Sequence, residues 1–154
     1  MDKQKLLFGT LFSTSNKLQT FGDSFLEKLS AKQWFLLAAI QSCEPEIPTL
    51  TRLVPIVGSS RQNIKQLALK LKKIGFLNIE DDLVDTRAVR LSLTEQCRVY
   101  WKNREDKDAS FLNDLFCGLS DEEIDSSIKT LNKLEINIIA LQKKQSSKEI
   151  RSST

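Results

Sequence analysis

The sequence has 154 residues, of which 40% are hydrophobic and 28% charged, and a formal net charge of +3. This length suits one domain with a real core, and the composition is that of a globular chain, not a disordered or fibrous one. There is no histidine, which excludes histidine-dependent nucleophilic catalysis and histidine metal sites. Because the net charge is small, a nucleic-acid partner has to be argued from where the charges lie.

Cysteine usage and hydropathy narrow the class further. Cys43, Cys97 and Cys117 are odd in number and widely spaced, so we expect buried reduced thiols, no disulfide framework, and no metal or other cofactor. No apolar run approaches the roughly 20 residues that a transmembrane helix needs. The apolar part of the N-terminal stretch is too short and too polar for a secretion signal. These features predict a cytoplasmic protein without a membrane partner.

The first two predicted elements are helices. Apolar residues recur at helical spacing through residues 3–29, which predicts a first helix with an apolar stripe. A stripe this apolar at a chain end needs a cover from beyond its own domain. Ser30 and Gln33 then form a capping box, which predicts a second helix from about Ala31 to Ser42.

A third and a fourth helix follow the connector CEPEIPT. Thr49 can cap a short third helix that Gly58 ends. The fourth helix opens at Ser59 and Ser60, and the segment from Gly58 to Gly75 carries five basic residues and no acidic one. Its buried face is predicted from the i, i+3, i+4, i+7 rule and consists of Ile64, Leu67, Ala68 and Leu71.

After Gly75 the apolar period drops from 3.6 to 2, which predicts two short antiparallel strands with one buried face, at 77–80 and 89–94. Thr94 can cap a fifth helix that runs to about residue 119. Ser120 and Glu123 form a second capping box, which opens a sixth helix with apolar residues at spacings of four and three.

The order of these elements predicts a mostly α fold with a small β-wing. The short third helix, the turn at Gly58 and the polar-faced fourth helix make a helix-turn-helix, and the hairpin after it makes a wing. In such a unit the second helix enters the major groove of DNA, where Asn and Gln pair with adenine and Arg and Lys pair with guanine. Basic side chains further along the helix contact phosphate. The predicted DNA-binding residues of this helix are Ser59, Ser60, Arg61, Gln62, Asn63, Lys65, Gln66 and Lys70.

Two segments carry a family resemblance. LSAKQWFLLAAI resembles the LTxxQxxxLxxI opening of MarR-type winged-helix transcriptional regulators, and LKKIGFLNIEDDLVDTRAVRLSLTEQC resembles their LxxxGLxxRxxxxxDxRxxxxxLTxxG segment. The match covers about Ser30 to Cys97 by motif and nearly the whole chain by element order. The D-x-R followed by an alternating strand that ends in Leu-Thr is its most specific part.

The resemblance implies a homodimeric, DNA-binding transcriptional regulator, most often a repressor, whose terminal helices interdigitate and whose two lobes straddle a pseudo-palindromic operator. It also implies a small phenolic or other effector held between the dimer domain and the lobe. Asp85 and Arg87 fill the D-x-R of the wing, with Arg87 reaching the minor groove and Asp85 fixing its orientation. Residues 1–29 and 96–143 would form the dimerisation helices, 30–95 the DNA-binding lobe and 144–154 a frayed tail.

The apolar character of both terminal helices independently supports a dimer, because neither stripe would be left in water. The predicted dimer interface consists of Leu7, Leu11, Phe12, Leu131, Leu134, Ile138 and Leu141.

The sequence also departs from the family pattern. Asn78 stands where an arginine usually starts the wing, Thr86 where a second wing arginine is common, and Cys97 in place of the glycine after LTxx. Pro55 is atypical within the third helix. These departures weaken the expected contribution of the wing and leave the helix-turn-helix prediction standing.

Three alternatives compete with DNA binding. Catalysis by the carboxylate pairs at 81–82 or 122–123 has little support, because acids at a loop tip or a helix start are ordinarily solvated or favour the helix dipole. A thiol-based redox regulator would rely on Cys43, the cysteine with an expected route to solvent. A winged-helix module that dimerises and binds protein, with the basic helix face merely solvated, is favoured by the acidic wing.

Overall fold

The computed structural model describes the backbone of residues 2–152 and the side chains of residues 2–147. This part of the chain contains seven helices and one antiparallel hairpin, and it divides into two compact units between Arg104 and Glu105. The elements are α1 (Lys3–Phe25), α2 (Ala31–Gln41), α3 (Leu50–Val57), α4 (Arg61–Lys73), β1 (Leu77–Asp81), β2 (Val89–Leu93), α5 (Glu95–Lys102), α6 (Glu105–Leu115) and α7 (Asp121–Ser152).

The core lies in the first unit, where helices α2 to α5 and the hairpin each contribute an apolar face. Three of the four residues predicted for the buried face of α4 are buried, and Leu67 is half-buried. The alternation in the hairpin holds as well, because Leu77, Leu91 and Leu93 point inward. The side chains with almost no exposure include Leu36, Leu37, Ile40, Leu53, Ile64, Leu71, Leu91 and Cys97.

Local capping begins the helices where the sequence predicts. The Gln33 amide donates to the Ser30 hydroxyl at 3.1 Å, and the Ser30 amide donates to the Gln33 side chain at 2.8 Å, which confirms the first capping box. The same exchange joins Ser120 and Glu123 at the start of α7. These contacts satisfy backbone donors that a helix start leaves unpaired.

The turn between α3 and α4 depends on Gly58. This residue is the C-cap of α3 with a φ of +67°, and its amide donates to the Val54 carbonyl at 3.0 Å. A left-handed backbone at a helix end is what glycine allows without strain. Helix α3 tolerates Pro55 in its interior and still runs to Val57.

Thr94 joins three elements of the first unit. Its hydroxyl donates to the Gly75 carbonyl at 2.6 Å and accepts from the Cys97 amide at 3.2 Å, while its own amide donates to the Phe76 carbonyl at 3.2 Å. The end of α4, the base of the hairpin and the start of α5 are therefore held by one side chain and its backbone.

The connector before α3 does more than link helices. Thr49 forms a β-bridge with Arg90, and the Leu91 amide donates to the Pro48 carbonyl at 3.0 Å. Residues 47–49 thus lie beside β2, joined to it by an isolated β-bridge and not as a third strand. The sequence reading of this segment as a simple connector missed that pairing, because it depends on residues far away in the chain.

The first helix ends earlier than predicted. Helix α1 stops at Phe25, and Glu27 adopts a φ of 58°. This left-handed residue turns the chain and allows Leu26 and Leu29 to enter the core of the first unit. The segment 26–29 therefore packs with the lobe and not in the stripe of the terminal helix.

The single fifth helix predicted for 95–119 is wrong, because α5 ends at Lys102 and α6 begins at Glu105. The Arg104 amide makes a tight i to i−3 hydrogen bond with the Trp101 carbonyl at 2.9 Å. The buried Arg104 guanidinium lies 5.1 Å from the centre of the Phe25 ring and 5.5 Å from that of Tyr100. The interruption between α5 and α6 thus coincides with a cation–π contact between Arg104 and the last residue of the first helix.

The end of the first unit and the end of the last helix both lie further along the chain than predicted. Cys97 is completely buried in the first core, so this unit extends past the predicted lobe limit of residue 95 to Arg104. Helix α7 continues to Ser152, through most of the segment 144–154 that the sequence predicts as a frayed tail. Residues 153–154 lie outside the described residues.

The left-handed turn at Gly58 generates a stability prediction. Nothing lies within 4 Å of a Cβ placed at this position, so Gly58→Ala should introduce backbone strain alone and lower the free energy of unfolding by about 1–2 kcal/mol. Gly58→Asn is the matched control, because Asn adopts this conformation more easily and should cost less. Denaturant unfolding at one protein concentration measures both, and equal losses for the two variants would contradict the strain argument.

Candidate nucleic-acid interface

Helix α4 is held with one face in the core and the other in solvent. Ile64, Ala68 and Leu71 are at most 1% exposed, so the helix cannot rotate without opening the core. The opposite face carries the residues predicted to contact DNA. Ser59 is half-buried, and the exposed members are Ser60, Arg61, Gln62, Asn63, Lys65, Gln66 and Lys70.

Ser60 has a structural task at the start of α4. It is the N-cap, and its hydroxyl oxygen accepts a hydrogen bond from the Asn63 amide at 3.2 Å. The hydroxyl proton remains able to donate to an acceptor such as a phosphate oxygen. The first residues of α4 are therefore presented on a well-formed helix start.

The basic side chains of α4 are not neutralised by the protein. Among residues 2–147 no carboxylate forms an ion pair with Arg61, Lys65 or Lys70. Acids of the preceding connector pair elsewhere, Glu44 with Arg98 and Glu46 with Arg52. Hydrogen bonds from these guanidiniums lower the pKa of both carboxyl groups. The positive charge of α4 thus stays available to an external anion.

A buried carboxylate organises the tip of the wing. Asp82 accepts hydrogen bonds from the Val84 amide at 2.8 Å and the Asp85 amide at 2.9 Å, and it forms an ion pair with Arg90 of β2. The Arg90 guanidinium also donates to the Ile47 carbonyl. The backbone amides, followed by Arg90, lower the pKa of Asp82, so the carboxylate is charged at neutral pH.

This geometry corrects the predicted wing chemistry. Asp85 accepts from the Arg87 backbone amide at 3.0 Å, so it shapes the loop and does not grip the Arg87 guanidinium as predicted. Arg87 is exposed at the tip. Asp82 is buried and paired with Arg90, a base of the protein itself. The sequence analysis missed Asp82 and Arg90, although acid and base eight residues apart across a hairpin tip are a usable signal.

The tip also presents two aliphatic side chains that the sequence analysis did not single out. Leu83 is 99% exposed and Val84 is 94% exposed, which makes them the most exposed large apolar residues among those described. Both lie between Asp82 and Asp85, in the loop that the Asp82 carboxylate holds.

The terminal helices leave their apolar stripes uncovered in the single chain. Helix α1 contains no buried residue, and Phe12 is 61% exposed. Two residues of the predicted dimer interface, Leu11 and Leu134, are half-buried. The exposed members are Leu7, Phe12, Leu131, Ile138 and Leu141. In the single chain, α1 and α7 therefore each carry an apolar face that is largely exposed.

All three cysteines are free, and two of them are buried as predicted, whereas the third is exposed. Cys43 is buried and its thiol contacts the Ala39 carbonyl at 3.4 Å, so its expected route to solvent is wrong. Burial raises the pKa of Cys97 to about 11, which leaves little thiolate at neutral pH. Cys117, in the turn before α7, is the exposed thiol. It stands alone, because the described residues contain no group of His, Cys, Asp or Glu suited to a metal ion.

None of the helices in the described residues combines the length and apolar character needed to cross a bilayer.

The Asp82 carboxylate generates a prediction about wing order. Asp82→Ala removes the acceptor of the Val84 and Asp85 amides, so hydrogen exchange at these two amides should accelerate roughly tenfold or more. Asp81→Ala, a change at the neighbouring exposed acid, should leave both rates near wild type. Exchange monitored by NMR distinguishes the two variants, and equal rates in both would show that the carboxylate does not hold the tip.

The comparisons with known proteins concern this lobe and the terminal helices together. No protein-family model matches the sequence. Among solved structures, a MarR/EmrR family transcriptional regulator from Acinetobacter sp. ADP1 is 15% identical with a TM-score of 0.78, covering 91% of this chain and 99% of that one. A MarR family transcriptional regulator from Streptomyces coelicolor, solved in complex with DNA, is 15% identical with a TM-score of 0.79, covering 90% and 92%.

A third similar structure is BpsR of Bordetella bronchiseptica, whose DNA binding is regulated by 6-hydroxynicotinic acid. It is 20% identical with a TM-score of 0.68, and the match covers 82% of this chain and 91% of that one. At these identities the likeness establishes the fold, and it confirms the predicted class, mostly α with a small β-wing. The chain has the winged helix-turn-helix fold of MarR-type transcriptional regulators.

Proposed function

We propose that this protein is a homodimeric, sequence-specific, double-stranded DNA-binding transcriptional regulator and not an enzyme. The observation that carries the proposal is the outward face of α4, where polar and basic side chains are exposed on a helix that the core holds in one orientation, and where no basic side chain is ion-paired within the described residues. The similar structure from Streptomyces coelicolor, solved in complex with DNA, supports the same use of the fold.

Helix α4 reads the major groove in this proposal. Arg61, Gln62 and Asn63 lie in its first turn, the part of a recognition helix that reaches base edges. Asn and Gln make two hydrogen bonds with adenine, and Arg makes two with guanine. Lys70 lies two turns further along, where a lysine contacts phosphate and contributes affinity without sequence preference.

Dimerisation through the terminal helices completes the proposed assembly. The exposed stripes of α1 and α7 are too apolar to remain in water, and a second copy of the chain is the partner that supplies matching stripes. A two-fold dimer places two α4 helices on one side of the duplex. Its operator is then a pseudo-palindrome with half-sites about one helical turn, roughly 10 bp, apart.

Control by a small molecule belongs to the same proposal. The lobe contains a cavity of about 450 Å³ next to residues 44–48, strand β2 and Arg98. Pro48 and Leu91 line it and also form the hydrogen bond that ties the connector to β2. An effector held there would contact the strand that carries the wing. The similar protein BpsR supports a small-molecule effector, because its DNA binding is regulated by 6-hydroxynicotinic acid. We propose that the protein acts as a repressor and that it is located in the cytoplasm.

The decisive experiment is selection of duplexes from a random-sequence pool with the wild-type protein. We expect enrichment of an inverted repeat, and an affinity that falls with salt at a log–log slope of about 0.9 for each phosphate neutralised. Failure to enrich any duplex, or a flat salt response, would reject the regulator and favour a winged-helix module that binds protein.

Substitutions in α4 test how the helix reads DNA. Gln62→Ala and Asn63→Ala should each cost about 1–3 kcal/mol on the selected duplex and relax its sequence preference. Lys70→Ala should weaken binding to all duplexes alike and lower the salt slope by about 1. Competition binding with selected and scrambled duplexes separates these effects, and identical behaviour of the three variants would show that α4 does not read bases.

A further inference from the structure

The wing ends in an ordered apolar tip. Leu83 and Val84 are 99% and 94% exposed, so neither contributes to the core. The Asp82 carboxylate holds the loop around them by accepting from the Val84 and Asp85 amides. A loop whose shape is already fixed loses little conformational entropy when a partner covers it, which suits the tip to contact with another molecule.

The surface around this tip is acidic. Residues 80–90 hold four acids and two arginines. Arg90 lies opposite Glu80 in the strand register, but its guanidinium pairs with Asp82. Three exposed acids therefore form no ion pair among the described residues, and they are Glu80, Asp81 and Asp85. This combination of negative charge and exposed aliphatic side chains fits a partner surface that is both basic and aliphatic.

Helix α4 of the same chain carries a surface of that kind. Leu69 is 45% exposed in the third turn of the helix, and exposed lysines surround it at positions 65, 72 and 73. Spacings of three and four residues make these side chains neighbours on the solvent side of the helix. The whole helix has five bases and no acid. Its outward face is therefore opposite to the wing tip in charge and similar to it in apolar character.

These two surfaces do not meet within one chain. Among the described residues no acid of the hairpin forms an ion pair with a base of α4. Leu69, Leu83 and Val84 all remain exposed. Contact between two copies would bring the opposite charges together and remove these aliphatic side chains from water.

We propose that the wing tip of one copy docks on the outward face of α4 in a second copy. Leu83 and Val84 then pack against Leu69, while the acids of the wing face Lys72 and Lys73. The docked wing covers part of the face that is proposed to contact DNA. Association of the free protein does not depend on the proposed function, whereas competition between this contact and DNA rests on it.

The first test is the size of the full-length protein without DNA, measured by sedimentation velocity between about 0.05 and 0.5 M salt. At low salt we expect species larger than the dimer, and these should disappear as salt rises, because salt screens contacts between exposed charges. Association through apolar terminal helices is not weakened by salt, so the dimer should persist. A size that is the same at every salt concentration overturns the proposal.

Exchange of charges identifies the two surfaces. Glu80→Lys/Asp81→Lys in the wing and Lys72→Glu/Lys73→Glu in α4 should each weaken the association at low salt about tenfold or more, because like charges then face each other. The quadruple variant exchanges the two signs and should recover most of the wild-type association. Association that persists in the wing variant, or a quadruple variant that does not recover, overturns the contact.

The matched control is Asp121→Lys/Glu122→Lys, which makes the same change in net charge on exposed acids at the start of α7. It should associate as the wild type does, and a loss equal to that of the wing variant overturns a specific contact. Leu83→Ser/Val84→Ser tests the aliphatic part of the contact. It should weaken association about tenfold without altering the salt dependence, because it removes apolar burial and no charge. A serine variant that associates like the wild type overturns the docking of the tip.

The last measurement adds a duplex that the wild type has selected. A saturating amount should convert the larger species into the dimer bound to one duplex, because the wing and the DNA need the same face of α4. Larger species that persist with the duplex bound overturn the competition. A wild type that associates at low salt and selects no duplex rejects the proposed function and supports the association, so the two failures are distinguishable.

Discussion

Burial of one face of α4 is the constraint on which the rest of the lobe depends. Ile64, Ala68 and Leu71 pack into the core with almost no exposure, and each residue of a helix is rotated by about 100° from the last. Fixing these three side chains therefore also fixes the direction of every side chain on the outward face. The caps at Ser60 and Gly58 set where the helix begins and how the chain enters it. In the proposed function, contact of α4 with base edges therefore depends on the core that holds the helix in one orientation.

The same arrangement explains how a chain with a net charge of only +3 presents a positive surface. The lobe pairs acids internally, Glu44 with Arg98, Glu46 with Arg52 and Asp82 with Arg90, while α4 contains no acid at all. Exposed ion pairs contribute little stability, so their main consequence here is electrostatic. None of the basic residues of α4 is in an ion pair with a carboxylate among the described residues. The acidic wing is thus compatible with DNA binding, because its most buried acid is already neutralised.

Features set by local sequence were predictable, and features set by distant contacts were not. Helical spacing, capping boxes and the change to period two gave helices α2, α3 and α4 and both strands close to their observed limits. Arg104, at the break between α5 and α6, contacts the rings of Phe25 and Tyr100, and Asp82 pairs with Arg90 on the other arm of the hairpin. Solvent exposure of the cysteines likewise follows from packing, which is why Cys43 was misjudged and Cys117 overlooked.

In the proposed assembly, folding of the lobe and association of two chains depend on different parts of the sequence. The first unit has its own core, whereas α1 buries none of its residues in the single chain. Stability of the lobe therefore comes from its interior, and the terminal stripes gain their burial from association. A regulator built this way can alter the spacing of its lobes without disturbing the core that orients α4. Since a two-site operator requires both recognition helices at one spacing, small changes in that spacing suffice to weaken binding.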